Sequence, residues 1–355
     1  MRTWLEINLN NIEHNLSQIE KLTNKKVIPV IKANAYGLGS IEIAKYLSNK
    51  NYDLYAVANF NEALEIKESG VNIKTLIMGN NDAHDLKLAI ENGFSVTISS
   101  WDDIKNLENT PDSTNSLIHI KVDTGMGRIG FSPNDIEAVI QNIKNNSLGT
   151  IEGIYSHLSS ADDNEDDFTL SQINQFSKYE NNKNIQFRHI LNTPGIFKYY
   201  KNTNTNFVRP GIAMYGVLLF DSPLKNILKP VFKLKTKIIY LKKLQKETFI
   251  SYGKTESGKK GDIIATLPIG YADGLDRRFS NGGTVKILDQ ECKIIGRVCM
   301  DMTMIVIPES IKDRVKIGTE VDIYDEEIQT AAEKIGTIAD ELMTRINKRV
   351  QRRYV

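Results

Sequence analysis

Two rhythms of hydrophobic and polar positions divide the chain. Across residues 1–228, short β-rich apolar runs recur at Val27–Ile31, Leu54–Ala58, Thr75–Met78, Ser95–Ile98, Leu117–Val122, Ile151–Tyr155, Phe187–Leu191 and Phe207–Val208. Between them, apolar positions return at helical spacing, most clearly in Ile41–Leu47, Glu62–Glu68, Leu86–Glu91, Trp101–Leu107, Ile136–Ile143, Phe168–Tyr179 and Ile196–Tyr199. Ahead of them lie a short alternating stretch, Leu5–Leu9, and a helix-period stretch, Asn11–Leu22. Strand and helix alternating every roughly 20–30 residues predict βαβ units and a parallel sheet. Eight strands favour a closed (β/α)₈ TIM barrel over an open doubly wound sheet. From residue 229 the rhythm changes to period two. Val231–Leu241, Asp262–Pro268, Thr284–Leu288, Cys292–Val298, Met302–Val306 and Val321–Tyr324 are separated by Gly, Asp and Lys turns. This predicts a C-terminal, mostly antiparallel β domain over 229–355, closed by a helix at Ile335–Ile346.

The barrel makes a demand on chemistry, because functional groups on such a fold follow the carboxyl ends of its strands. Lys32 follows the first run, Asp123–Arg128 the fifth, His157 the sixth, Asn192 and Thr193 the seventh, and Arg209 the eighth. A lysine at the mouth of a buried strand is costly while charged. Once neutral, it is a nucleophile able to form an imine with an aldehyde. Gly125-Met126-Gly127-Arg128 is a glycine-rich turn ending in a permanent cation that suits a phenolate or carboxylate. After Arg209-Pro210, the Gly211 and Ile212 amides suit a phosphate. The tyrosines of Ser251-Tyr252-Gly253 and Gly270-Tyr271-Ala272-Asp273 lie at turns, where a base function requires a neighbouring cation.

Composition narrows the field. The chain has 355 residues with a formal net charge of +1, 41% hydrophobic and 25% charged, which describes a globular protein without general attraction to nucleic acid or membrane. The basic stretch Arg345–Arg353 is the local exception. Cys292 and Cys299 have neither zinc-knuckle nor CxxC spacing, and five scattered histidines lack HExxH, so no metal site is expected. No GxGxxG follows the first strand and no GxxxxGK[ST] occurs, which argues against dinucleotide and triphosphate sites. The N-terminal stretch lacks the apolar core of a signal peptide, and no apolar run reaches membrane-spanning length, so the cytoplasm is the expected compartment.

Six stretches in order resemble the alanine racemases, pyridoxal 5'-phosphate (PLP) enzymes of fold type III. They are Lys32-Ala33-Asn34-Ala35-Tyr36-Gly37, Asp123-Thr124-Gly125-Met126-Gly127-Arg128, Arg209 through Gly216, Ser251-Tyr252-Gly253, Pro268 through Gly274, and Gly296 through Asp301. The resemblance implies a homodimer in which the barrel of one subunit meets the β domain of the other. It also implies interconversion of L- and D-alanine by two bases, supplying D-alanine for peptidoglycan. Lys32 matches the cofactor-bearing lysine and base on the D-alanine side, and Tyr252 the base on the L-alanine side. Tyr36, Thr193 with its neighbour Asn192, Gly211, Ile212 and Tyr354 match cofactor-binding positions, the phosphate above all. Arg209 matches the arginine facing the pyridine nitrogen, His157 the residue that contacts it, and Arg128 the arginine near the cofactor's phenolic oxygen and the substrate carboxylate. Met300 matches the backbone contact to that carboxylate, with Tyr271, Cys299 and Asp301 lining the substrate site. Lys121 matches a lysine often carbamylated in the family, a negative charge that would orient Arg128. Three positions depart from the usual pattern: Leu38 replaces a histidine, Thr193-Pro194 replaces Asn-Ser, and Gln351 replaces a proline. A broader serine and alanine racemase, and a non-catalytic PLP carrier on the same barrel, remain the alternatives.

Overall fold

A computed structural model describes residues 2–163 and 167–355. Eight parallel strands form one sheet: Lys26–Val27, Tyr55–Val57, Thr75–Ile77, Ser95–Ile98, Leu117–Lys121, Thr150–Tyr155, Phe187–His189 and Phe207–Val208. From Tyr55–Val57 onward each neighbours the next in chain order, and the last pairs with the first. The first run continues past its paired residues, and there it closes the ring. The Ile31 amide donates to the Ala56 carbonyl at 2.9 Å and the Ala56 amide to the Pro29 carbonyl at 3.0 Å. The strands are short because each is needed only to span a packed barrel wall. Their apolar positions are buried on both faces, against the barrel interior and the surrounding helices.

Strand register sets what faces the barrel mouth. Lys121 lies opposite Tyr155, Tyr155 opposite His189, and His189 opposite Phe207. Cα partners in a parallel sheet point to the same face. Three polar side chains from adjacent strands therefore meet at one level, just below the loops that carry His157, Asn192 and Arg209.

The C-terminal part holds a six-stranded sheet, a three-stranded antiparallel sheet and a two-stranded hairpin. Strand Thr3–Ile7 lies early in the chain but pairs in the six-stranded sheet, between Phe232–Lys237 and Gln351–Tyr354. The continuous run read at Val231–Leu241 is two strands. Phe232–Lys237 belongs to the six-stranded sheet and Tyr240–Lys243 to the three-stranded one, because the Ile238 amide turns to Thr319 and the Ile239 amide to Thr266. The closing helix read at Ile335–Ile346 is also divided. Gly336, at φ +72°, ends the turn after Ile328–Glu333, and a second helix runs only from Ala339 to Thr344. The hairpin Thr248–Ile250 with Glu256–Gly258 escaped the sequence reading.

Candidate active site

Lys32 opens a turn of unusual hand. Ala33, Asn34, Ala35 and Tyr36 follow it with φ of 52°, 54°, 51° and 54°, a left-handed helical turn built without glycine. Such a backbone costs about 1–2 kcal/mol per residue and persists only where its surroundings fix it. Here Glu62 accepts from the Ala33 amide at 2.7 Å, the Ile31 carbonyl from the Ala35 amide at 2.9 Å, and the Asn34 side chain from the Ser40 amide at 2.9 Å. The turn aims Lys32 and Tyr36 into one cavity of about 520 Å³. Its lining also includes Lys121, Arg128, His157, Asn192, Thr193, Arg209, Gly211 and Ile212. Burial, and then the charge of Arg128, lowers Lys32 below the ordinary lysine range, so the amine is readied to lose its proton.

The opposite wall is built around Arg209, which is 3% exposed. Its guanidinium donates to His189 Nδ1 at 2.6 Å, to the Ser156 carbonyl at 2.7 Å, to His157 Nδ1 at 3.2 Å and to the Ile190 carbonyl at 3.2 Å. It also lies 5.3 Å from the centre of the Tyr155 ring, which stacks on His189 at 4.9 Å and 15°. Burial lowers Arg209 to about 10, which still leaves it fully cationic near neutrality. Burial and the Arg209 charge push His157 and His189 well below the ordinary histidine value. Both rings are therefore neutral acceptors, and among the described residues no carboxylate pairs with the rigidly held arginine.

Lys121, 2% exposed, donates to the Val122 carbonyl at 2.8 Å and faces the Tyr155 ring at 5.5 Å. Burial, with Arg209 adding to it, lowers this lysine to about 7. Asp123 ties the glycine turn together by accepting from the Gly125 amide at 3.0 Å and the Gly127 amide at 3.1 Å, which sets where Arg128 leaves the loop.

The third wall is a small-residue cradle. Asn192 caps helix Thr193–Tyr199 by accepting from the Gly195 amide at 3.2 Å, and Pro194 takes the first-turn position that a helix tolerates. Thr193 Oγ1 receives the Gly211 amide at 3.3 Å and the Ala213 amide at 3.4 Å. A Cβ at Gly211 would run into the Tyr36 hydroxyl, so glycine is required where that phenol comes close to the backbone. The Tyr36 ring rests on Tyr215 at 5.2 Å.

The remaining candidates lie elsewhere. Tyr354 does not line this cavity: its hydroxyl donates to the Leu38 carbonyl at 3.0 Å, above Gly39. Its strand Gln351–Tyr354 is docked in register on Trp4–Ile7, so Gln351 does not loosen the tail. Tyr252, Cys299, Met300 and Asp301 line a separate open hollow of about 460 Å³ that shares no lining residue with the Lys32 cavity. Tyr252 is 71% exposed, after a Ser251 held at φ +67° whose hydroxyl donates to the Arg297 carbonyl at 2.6 Å. Tyr271 is joined to this face by its amide, which donates to the Cys299 carbonyl at 3.0 Å. Asp301 is paired with Arg349 at 2.6 Å. The sequence reading missed Tyr155, His189 and Asp340. The first two carry a faint signal, as polar residues inside apolar strand runs. Asp340, which lines the Lys32 cavity from the C-terminal helix, carries none.

The chain also matches known proteins over nearly its whole length. The family described as "Alanine racemase, N-terminal domain" matches residues 7–218, and "Alanine racemase, C-terminal domain" matches residues 231–354. The chain is 42% identical to an alanine racemase of Fusobacterium nucleatum over 99% of both chains. It is 36% identical to one of Clostridium novyi over 99% of this chain and 95% of that one. Among solved structures, an alanine racemase of Clostridium difficile superposes with a TM-score of 0.91 at 32% identity, covering 100% of this chain and 96% of that one. The alanine racemase of Bacillus anthracis with bound L-Ala-P superposes with a TM-score of 0.88 at 30% identity, covering 100% and 95%.

Proposed function

The chain belongs to the alanine racemase family, and from that premise we propose that it interconverts L-alanine and D-alanine, with PLP as cofactor and two copies of the chain per enzyme. The observation that carries the reading is the meeting, in one cavity, of a lysine with a lowered pKa, a rigid buried arginine without a carboxylate partner, and a glycine cradle closed by Tyr36. These residues fit a phosphorylated pyridoxal. The Gly211 and Ile212 backbone, the Thr193 hydroxyl and Tyr36 would hold the phosphate, with Asn192 fixing the loop. Arg209 would face the ring nitrogen, and Lys32 would carry the aldehyde carbon. When bound, PLP supplies the electron sink that acidifies the substrate Cα–H.

The chain supplies the proton carriers and the orientation. Lys32 Nζ moves the proton on the D-alanine face and Tyr252 Oη on the L-alanine face. Arg209 is a fixed cation whose donors already serve two neutral histidines. It would give a bound pyridine nitrogen no acidic partner and so would disfavour its full protonation, keeping the chemistry at the cofactor to proton transfer. Arg128 and the Met300 backbone hold the substrate carboxylate, with Tyr271, Cys299 and Asp301 lining the substrate site. Lys121, neutral in part near pH 7, is suited to take up CO₂ as a carbamate, releasing one proton and gaining the negative charge that would orient Arg128. Because Tyr252 and Lys32 line separate hollows of one chain, Tyr252 reaches the cavity from the partner subunit. We take residues 1–228 as the PLP-binding barrel and 229–355 as the β domain, with strand Thr3–Ile7 crossing to the latter's sheet. The cytoplasm is the proposed compartment; among the described residues no helix is long and apolar enough to cross a membrane.

The test is D-alanine formation from L-alanine by purified protein with PLP, with L-serine in parallel. Lys32→Ala is expected to abolish turnover. Tyr252→Phe is expected to lower it about 10²–10⁴-fold, the range for losing one proton-transfer group. Comparable serine turnover would broaden the substrate class, and a PLP-bound protein that turns over neither amino acid would overturn the reading.

A further inference from the structure

Asp340 has no role in the site as described so far, yet it lines the Lys32 cavity together with Tyr36, Thr193, Gly211 and Ile212. It stands in the first turn of helix Ala339–Thr344, which packs on the Lys32–Tyr36 turn. That packing is close. A Cβ at Gly37 would run into the Met343 carbonyl, and Arg352 holds the Gly37 carbonyl at 2.7 Å while donating to the Ile346 carbonyl at 2.8 Å. Asp340 Oδ2 is buried and has no hydrogen-bond partner in the protein. A buried carboxyl oxygen left unpaired is costly unless a ligand completes it.

The charged neighbours say which form that carboxyl takes. On its own helix, Glu341 is engaged with Thr337, Arg278 and Arg345, and Arg345 also binds Asp276, so neither serves Asp340. From helix Ile328–Glu333, Gln329 caps the Ala339 amide and bonds Glu333. From helix Phe60–Glu68, Glu62 is spent on the Ala33 and Ala58 amides. Across the interface stand Tyr36, which burial raises and Asp340 raises further, and Lys32, whose charge favours the Asp340 carboxylate. Burial outweighs both that pull and the hydrogen bond from Asp340's own amide, and raises Asp340 above the ordinary aspartate range. A phosphate beside Tyr36 would add about 1.5–2 negative charges and push it in the same direction.

We propose that Asp340 is a proton-linked ligand of the cofactor phosphate: it meets the bound phosphate as the neutral acid, donating Oδ2–H to a phosphate oxygen, so that binding takes up one proton from solvent at this side chain. The inference rests on the PLP reading above. It makes the C-terminal helix part of the phosphate site, and it makes cofactor retention weaken with rising pH.

The experiment is calorimetric titration of full-length apo-enzyme with pyridoxamine 5'-phosphate, which carries the phosphate but no aldehyde, and with pyridoxamine, which has neither. Titrations at about pH 8, where the free phosphate is already a dianion, in buffers of different ionisation enthalpy count the protons taken up. The wild type is expected to take up about one proton more than Asp340→Asn. Its affinity is expected to fall about tenfold per pH unit above the aspartate's pKa, with no matching fall in the variant. Asp340→Ser serves if the asparagine variant does not fold. Equal uptake by wild type and variant would assign the proton to Lys32 and overturn the proposal. The same excess uptake with pyridoxamine would unlink it from the phosphate and overturn it too. Failure of both forms to bind pyridoxamine 5'-phosphate would instead bring down the PLP reading, and this inference with it.

Discussion

At the scale of single residues, Lys121 is a side chain whose chemistry changes sharply on folding. Its pKa falls from the ordinary lysine value of 10.5 to about 7 because burial penalises the ammonium. Below pH 7 both the folded and unfolded chains hold the proton, and the folded state carries the full desolvation penalty. Between about 7 and 10.5 the unfolded chain holds more protons, so this residue's contribution to stability rises with pH. Lys121→Met should therefore raise the melting temperature most below pH 7, in CO₂-free buffer, and the difference should shrink as pH climbs toward 10. A difference that is flat with pH would mean the lysine is not neutral in the fold. Bicarbonate at pH 8 should add the mass of one CO₂ to the wild type and leave Lys121→Met unchanged. The sequence made Lys32 and Arg209 legible because a charge ending an apolar strand run is locally anomalous. Tyr155 and His189 were not, since an aromatic ring inside a strand run reads as packing until register shows it facing a guanidinium. Asp340 is nearly 310 residues from Lys32 in the chain, and no local pattern can report that approach.

At the scale of elements, the left-handed turn after Lys32 and the short helix Ala339–Thr344 depend on each other, and Gly37 is the point of contact. It sits at φ +84° with the Met343 carbonyl where a Cβ would go. Gly70 sits at nearly the same φ, +85°, with open space around it. Gly70→Ala should therefore cost only the left-handed backbone penalty, about 1–2 kcal/mol. Gly37→Ala should cost that and more, and should also loosen the cofactor by prying the helix from the turn. Thermal melts with and without PLP separate the two effects, and equal losses would show that the contact at Met343 is not rigid. The same scale shows where pattern reading stops. Each barrel strand declared itself through its own residues. The break at Ile238–Ile239 did not, because the alternating strand Phe232–Lys237 runs straight into the mostly exposed strand Tyr240–Lys243, and only their partners, Thr319 and Thr266, tell them apart. Strand Gln351–Tyr354 is likewise defined by Trp4–Ile7, from the other end of the chain.

At the scale of the whole molecule, a single chain does not bring Lys32 and Tyr252 into one hollow. Lys32 lies inside the barrel mouth, whereas Tyr252, Met300 and Met302 lie exposed around a different hollow. A second copy could bring that apolar face over the first copy's cavity, and a twofold interface would complete both sites at once. Genetic complementation in vitro decides this. Lys32→Ala and Tyr252→Phe are each expected to be nearly inactive alone. In a mixed dimer, one site receives both defects, and the other receives Lys32 from one chain and Tyr252 from its partner. Random reassortment at equal amounts gives about half mixed dimers with one intact site of two, so about a quarter of wild-type activity should return. If both groups served the same site from one chain, every site in every mixture would keep one defect, and no activity would return however long the subunits exchanged. Activity that returns and then declines on dilution would further show that the functional unit is the pair, with each β domain completing the barrel it does not belong to.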